Sequence, residues 1–275
     1  TVATNFSVSV ADRQQGVLPE AARTAAEIIC AVARETPGGE GNFHFAAAAN
    51  CPAGIPYFPA AFHEGSPAFG IGLESPGILL KLLAETLQPA TADSLRQALE
   101  QALQPVENLA GQLADSHGWR FNGLDTSLAP GLDASIGEVV ERLSGQPFGS
   151  AATLRACSLL TDVMKSVNVR RCGYSGLMLP VIEDKVLAKR AGEGRFTVKE
   201  LLLYSAVSGT GLDVVPLPGD TSVQVVHHLL LDALSLKYTD KALSARLFLI
   251  PGKQAGEMVH FQNPYLTSCQ VMGIW

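Results

Sequence analysis

Six acidic residues stand where apolar runs meet glycine or proline: Glu74, Asp125, Glu183, Asp184, Asp213 and Asp220. Three of them complete the same short pattern, as Gly72-Leu73-Glu74, Gly123-Leu124-Asp125 and Gly211-Leu212-Asp213. If each pattern ends a strand, the carboxylates converge at one mouth, because parallel α/β folds bind ligands at the carboxyl ends of their strands. Two chemistries suit such a set. Glu74, Asp125 and Asp213 are candidate oxygen ligands for a divalent cation such as Mg²⁺ or Ca²⁺. Asp125, Asp213 and Glu183 are candidate catalytic carboxylates, working as general acid and base once burial separates their pKa values. Helix capping competes with both. Asp220 precedes Thr221-Ser222 and a long helical pattern, so it reads as an N-cap. Ser75 is the better cap before Pro76, which leaves Glu74 for the mouth. Glu183-Asp184 also suits the positive end of a helix dipole.

The candidate ligand-binding residues are Gly209, Thr210, Gly211 and His63. Ser208–Gly211 lacks the lysine of a P-loop and the third glycine of a dinucleotide fingerprint, so it reads as a tight backbone turn before Asp213. At least one of Gly209 and Gly211 is expected at positive φ. His63 follows a stiff aromatic and proline-rich loop (Tyr57, Phe58, Pro59, Phe62) that suits a pocket wall, a subunit contact or core packing. His227 and His228 are adjacent in a helical pattern, so they point to different faces and cannot form an i, i+4 metal pair. Arg171-Cys172-Gly173-Tyr174 resembles the Arg-x-Gly-Tyr signature of glycyl radical enzymes. The match is four residues long and mid-chain, and Gly173 reads as a turn glycine. Cys172 is expected to be a structural, unpaired thiol.

The positioning elements alternate. Strands are predicted at Asn5–Val10, Asn42–Ala48, Ala68–Leu73, Arg120–Leu124, Gly176–Val181, Arg246–Ile250 and Gln270–Trp275. Helices are predicted at Pro19–Arg34, Pro76–Leu87, Ala92–Ser116, Ser135–Leu143, Ala151–Val167, Val198–Val207 and Thr221–Tyr238. Such alternation implies βα units and a mostly parallel sheet with helices outside it.

With 275 residues, 47% hydrophobic and 17% charged, the chain suits a single α/β domain over 1–275 with a large core. A formal net charge of −6 and no basic run argue against nucleic acid as a partner. The five scattered cysteines read as reduced thiols in the cytoplasm. No apolar run has the length a bilayer requires, so no membrane partner is expected. The start, Thr1 onward, enters a strand pattern almost at once. It reads as a truncation more readily than as an N-terminal nucleophile.

Several blocks carry a family resemblance: SVSVAD, FHFAAAANCPAGIPYFPAAFH, FNGLDTSLAP, GYSGLMLPVIEDKVLA and LLLYSAVSGTGLDVVPLPGD. With these the chain resembles the uncharacterised family called domain of unknown function 711, or UPF0210. The resemblance implies a fold similar to the pyruvate formate-lyase type α/β barrel, whose two halves of parallel strands run opposite ways. It also implies that an N-terminal portion of the family is absent here. Many members of the branch this chain resembles have cysteine where it has Ser208. Thiol chemistry at that position is either absent here or not the family's shared function.

The function expected from the residues is an acidic, glycine-lined pocket for a small polar ligand or a divalent cation. Its chemistry would be metal-assisted or carboxylate acid–base catalysis. The alternative is a non-catalytic ligand-binding or assembly protein on an enzyme-derived barrel. In either case the low charge and apolar loops favour a homo-oligomer, most simply a dimer.

Overall fold

The computed structural model describes residues 4–85, 88–131, 133–236 and 241–274. Thr1 and the predicted element ends at Leu87, Tyr238 and Trp275 lie outside the described residues. The chain opens with β1 (Phe6–Asp12), which turns through Asp12 into β2 (Gly16–Val17). The Asp12 carboxylate closes that turn by accepting from the Gln14 and Gln15 amides. Next come α1 (Pro19–Glu35), a 3-10 stretch (Pro37–His44) and β3 (Phe45–Ala49). Then follow β4 (Ala68–Glu74), α2 (Pro76–Glu85), α3 (Ala92–His117) and β5 (Arg120–Ala129). The middle of the chain forms α4 (Ile136–Ser144), α5 (Thr153–Ser166), α6 (Lys185–Gly192) and α7 (Val198–Ser208). The last elements are β6 (Gly211–Pro218), α8 (Val223–Leu234), β7 (Leu243–Ile250), β8 (Met258–Val259) and β9 (Cys269–Gln270).

The strands form a mixed, curled sheet. Five are ordered β2-β1-β3-β7-β6, and β4 pairs β5 separately. The pairs β1–β3, β4–β5 and β6–β7 are parallel, whereas β3 meets β7 antiparallel. Between the two sheet pieces runs residues 170–181, which bridges to β5 at Leu124–Arg171 and to β6 at Leu177–Gly209 and Pro180–Asp213. The α/β class is as expected. Among the described residues the strands make a curled half-barrel of mixed pairing, with β2 and β4 at its edges.

Small side chains allow the close packing. β3 is Phe45 followed by four alanines, all buried, and α1 buries Ala22, Ala25, Ala26 and Ala33. Where Cβ is the largest group on the facing surface, a helix can approach its neighbours closely, and the many short contacts add up. The interior also holds Phe45, Phe148, Phe248, Ile29, Leu79 and Leu124, each essentially inaccessible to water.

Three departures from the sequence expectation have simple causes. The stretch Gly211–Pro218, absent from the predicted strands, is a buried strand. Its prolines are tolerated because β7 lies along one side and only isolated bridges along the other. The predicted strand Gly176–Val181 makes bridges only, since Pro180 has no N–H to give a ladder. Asp220 does not cap α8. Ser222 does, accepting from the Val225 amide, while Asp220 is exposed and accepts from Gln254.

Candidate functional site

The concave face of the half-barrel encloses a cavity of about 490 Å³. Glu74 from β4 and Pro130 after β5 line one side; Thr210 before β6, Asp213 from β6 and Arg246 from β7 line the other. Phe43, His44, Tyr57 and Phe58 close it from the 3-10 stretch and the loop that follows β3. Tyr174, Met178, Pro180 and Glu183 complete it from the crossing segment.

Arg246 is the centre of this arrangement. It sits midway along β7 with only 7% of its surface exposed. Its Nε donates to Asp213 Oδ1 at 2.5 Å, and its Nη2 donates to Glu183 Oε2 at 2.9 Å. The guanidinium also lies over Phe43 and Phe58, 5.5 Å and 5.7 Å from the ring centroids. Burial alone would make this charge costly, and the two carboxylates and two rings offset that cost. Burial likewise pushes the Glu183 carboxyl up to about 7, despite Arg246, with Asp213 and Glu74 adding to the rise. A carboxyl titrating there exchanges a proton readily near neutrality.

The backbone around Asp213 is specialised. Gly209 and Gly211 both have positive φ, at 103° and 98°, as expected. A Cβ on Gly211 would stand 2.1 Å from the Ser244 carbonyl oxygen, so only glycine lets β6 approach β7 there. Val214 also has positive φ, 37°, where the β6–β7 register shifts between Leu212 and Val215. A β-branched residue in that region is strained, and such strain clusters at functional sites.

The three Gly-Leu-acid patterns occupy different places. Glu74 ends β4, Asp125 lies inside β5, and Asp213 lies near the start of β6. Their expected convergence at the carboxyl ends of strands is therefore replaced by a cavity inside the curl, lined by Glu74, Glu183, Asp213 and Thr210. Asp125, Gly209, Gly211 and His63 are outside that lining. His63 is exposed and bonds the Gly65 carbonyl at 3.0 Å. Among the described residues no group of three or more His, Cys, Asp or Glu side chains is arranged to hold a metal ion.

Asp125 has a different task. It is fully buried and accepts from the Tyr174 amide at 2.8 Å, the Ser175 amide at 2.9 Å, and the Ser127 amide and hydroxyl at 3.0 and 2.6 Å. It thereby holds a turn with positive φ at Gly173 and Ser175, which sets Tyr174 into the cavity wall. Burial raises its pKa against the pull of those bonds. Gly173 is needed because a Cβ there would lie 2.1 Å from Asp125 Oδ2.

Asp184 caps two helices at once. Its Oδ1 accepts from the Val186 and Leu187 amides at the start of α6 and from the Ser135 hydroxyl. Its Oδ2 accepts from the Ile136 and Gly137 amides at the start of α4. This fixes the backbone one residue beyond Glu183.

Cys172 is unpaired, and its thiol is pushed up to about 12 by burial and by Asp125. Lys241 is pushed down to about 8 by burial and by Lys165, and it donates to the Ser205 and Ala206 carbonyls in the last turn of α7. Arg246 escaped the sequence reading, although its sign was present: one charge inside the apolar run Leu243–Ile250.

Comparison with known proteins gives consistent relatives. The family model described as "Uncharacterised ACR (DUF711)" matches residues 1–262. A UPF0210 protein of Pyrobaculum islandicum is 31% identical over 272 residues, covering 94% of this chain and 59% of its own length. A UPF0210 protein of Pyrobaculum aerophilum is 30% identical over 264 residues, covering 91% and 58% respectively. One from Bifidobacterium longum subsp. infantis is 28% identical over 272 residues, covering 93% and 60%. The chain thus spans about three fifths of the length of these relatives.

Proposed function

The chain belongs to the uncharacterised DUF711 (UPF0210) family, and from that premise we propose that its half-barrel cavity binds a small polar ligand on which Glu183 performs acid–base chemistry. One observation carries the reading: a buried Arg246 guanidinium joins Asp213 and Glu183 at the wall of a 490 Å³ cavity. The cavity has the size of a small-molecule site, with mostly apolar walls and a few converging polar groups. Glu183 is the proton-exchanging group. Asp213 and Arg246 hold it and set its charge, so they are positioning residues in this reading. The strained backbone at Val214, beside Asp213, supports a functional role for the same place.

The divalent-cation version draws less support. Arg246 already occupies the side of Asp213 and Glu183 where a shared ion would sit. The opposed parallel groups that meet at β3–β7 support descent from a pyruvate formate-lyase type barrel. That likeness concerns architecture and carries no reaction with it. Five unpaired cysteines suit the reducing cytoplasm. No helix of the described residues is long and apolar enough to cross a membrane.

The direct test is a pH titration of the Glu183 carboxyl by carbon-13 NMR. A midpoint near neutrality is expected, and a midpoint in the ordinary glutamate range would remove the acid–base assignment. A thermal-shift screen of small metabolites then reports binding, since a ligand held only by the folded state raises the melting point.

The second reading, assembly, is favoured by Leu109 and Leu113, one turn apart on α3, and by Trp119 just beyond, at 67%, 44% and 47% exposure. In this reading the face packs against a second copy in a two-fold dimer. Light scattering at dilution tests it: a monomer, unchanged by Leu109→Lys, counts against assembly.

A further inference from the structure

We propose that Lys241 is a nucleophilic amine that forms an imine with a small 2-oxo acid, in a second cleft that shares Tyr174 with the first cavity. The proposal stands apart from the acid–base reading of Glu183.

The second cleft has a volume of about 940 Å³. Lys241 lines it just before β7, and Lys165 lines it from the last turn of α5. Lys241 is half-buried and is held at both ends. Its carbonyl accepts from Asn50 Nδ2 at 3.2 Å, and Asn50 itself has positive φ, 54°. Its Nζ donates to the Ser205 carbonyl and, at 3.2 Å, to the Ala206 carbonyl. Two acceptors match the two N–H bonds of a neutral amine and leave its lone pair unengaged. An ammonium has a third N–H, for which the described residues supply no acceptor. The carboxyl end of α7 favours a cation. Burial and the charge of Lys165 oppose it and hold Lys241 at about 8. At pH 7.5 about a quarter of the amine is then neutral, against about one part in a thousand for a lysine at the ordinary 10.5. Desolvation beside a second cation is how a lysine is made to attack carbonyl carbon.

Charge names the rest of the ligand. Lys165 is exposed and is in no ion pair among the described residues. Arg13 reaches the same cleft from the β1–β2 turn. Of the acids there, Asp12 already accepts from Gln14 and Gln15, and Glu64 is exposed. A carboxylate next to the reacting carbonyl therefore gives Lys165 a partner while Lys241 attacks. The Nζ lone pair bonds to the carbonyl carbon, the C=O π pair moves to oxygen, and a proton passes from nitrogen to that oxygen. Solvent protonates the resulting hydroxyl, which leaves as water while the nitrogen lone pair closes the C=N bond. Overall an amine, a carbonyl and a proton give an iminium and water, and nothing is oxidised.

The probes are pyruvate and acetone, which differ by a carboxylate, each with cyanoborohydride to reduce the imine to a stable secondary amine. Peptide mass mapping identifies the lysine labelled. At pH 7.5 pyruvate is expected to label Lys241 about tenfold faster than any other lysine, and faster than acetone does. Competitive acetylation across pH reads the Lys241 titration, with a midpoint near 8 expected. Lys241→Arg keeps donors for the α7 carbonyls but cannot form an imine, so the fast labelling is expected to vanish. Lys165→Met, an exposed change, is expected to raise the Lys241 midpoint and to abolish the advantage of pyruvate over acetone. Labelling of Lys241 no faster than the exposed lysines, or a midpoint near the ordinary lysine value, would overturn the proposal and leave Lys241 as a cap of α7. Acetone labelling as fast as pyruvate, or no effect of Lys165→Met, would overturn the oxo-acid class.

Discussion

Arg246 Nε and Asp213 Oδ1 lie 2.5 Å apart across the β6–β7 pair, where the strand register slips after Leu212 and Ala245. The slip and the contact belong together. The bulge that puts Val214 at positive φ lies between the paired position Leu212–Ala245 and the shifted one, Val215–Leu247. Bulges commonly re-aim a side chain in this way.

Replacing Arg246 by Met is therefore expected to cost about 3–5 kcal/mol, because it leaves two buried carboxylates without their cation. Urea unfolding measures this. Removing all three charges together, as Arg246→Met with Asp213→Asn and Glu183→Gln, is expected to cost much less than the single change. A triple variant less stable than the single one would show that the cluster is held by shape more than by charge.

The pH dependence follows from Glu183. Its carboxyl is raised from an ordinary 4.5 to about 7 by burial. The folded state then binds more protons than the unfolded chain between those values, so this group's stabilisation is fully present below 4.5 and is lost as pH rises through 7. Glu183→Gln is expected to flatten the stability profile in that window. Unfolding midpoints across the window, wild type against variant, check the sign; parallel curves would reject it.

Asp184→Ala removes the cap of α6 and the anchor of α4 together. Each lost cap costs roughly 1 kcal/mol, and the amides left without a partner at Ile136 and Leu187 belong to buried residues, so a loss of about 2–4 kcal/mol is expected. Ser135→Ala removes only the α4 side and is expected to cost less. Hydrogen exchange distinguishes the two: Asp184→Ala loosens both helices, Ser135→Ala one.

What the sequence made legible depended on how local each signal was. Helix starts carry local capping chemistry, as at Thr91, Ser135 and Thr197, each of which accepts from its own first turn. Glu183, Asp213, Thr210 and Glu74 were recognisable as edge residues, and the fold gathers them in one cavity. Their cation was not, since an arginine in an apolar strand reveals its partners only after β6 and β7 pair. Asp125 looked like its neighbours in the Gly-Leu-acid series, yet two of its four bonds reach across to residues 174 and 175, a relation no local pattern encodes. Pro216 and Pro218 disguised β6, because the sparse pairing that tolerates them is a property of the assembled sheet.

Cys172 tests the surroundings of Asp125 chemically. Its thiol is pushed up to about 12, so the reactive thiolate is scarce at neutral pH, and its Sγ donates to the Gly123 carbonyl at 3.1 Å. Slow alkylation by iodoacetamide in the native protein is expected, read by peptide mass mapping. Asp125→Asn is expected to speed it by removing a repelling charge and loosening the turn. Rapid, selective labelling of Cys172 in the unaltered protein would instead reopen thiol chemistry at Arg171–Tyr174.

The two glycines before Asp213 give the sharpest contrast, because one side chain meets space and the other meets backbone. At Gly209, φ is 103° but an added Cβ has no neighbour nearer than 3.7 Å, so Gly209→Ala is expected to cost only the conformational penalty, about 1 kcal/mol. At Gly211, φ is 98° and the Cβ would lie 2.1 Å from the Ser244 carbonyl oxygen. That oxygen belongs to β7 two residues before Arg246, so relieving the clash means parting β6 from β7 where Asp213 and Arg246 meet. Gly211→Ala is expected to cost about 3 kcal/mol or more, as strain and a broken strand contact combine. It is also expected to return the Glu183 titration toward the ordinary glutamate range by opening the cavity wall to water. Equal unfolding midpoints for the two variants, with the Glu183 titration unmoved, would mean that β6 can shift here without disturbing the charge cluster.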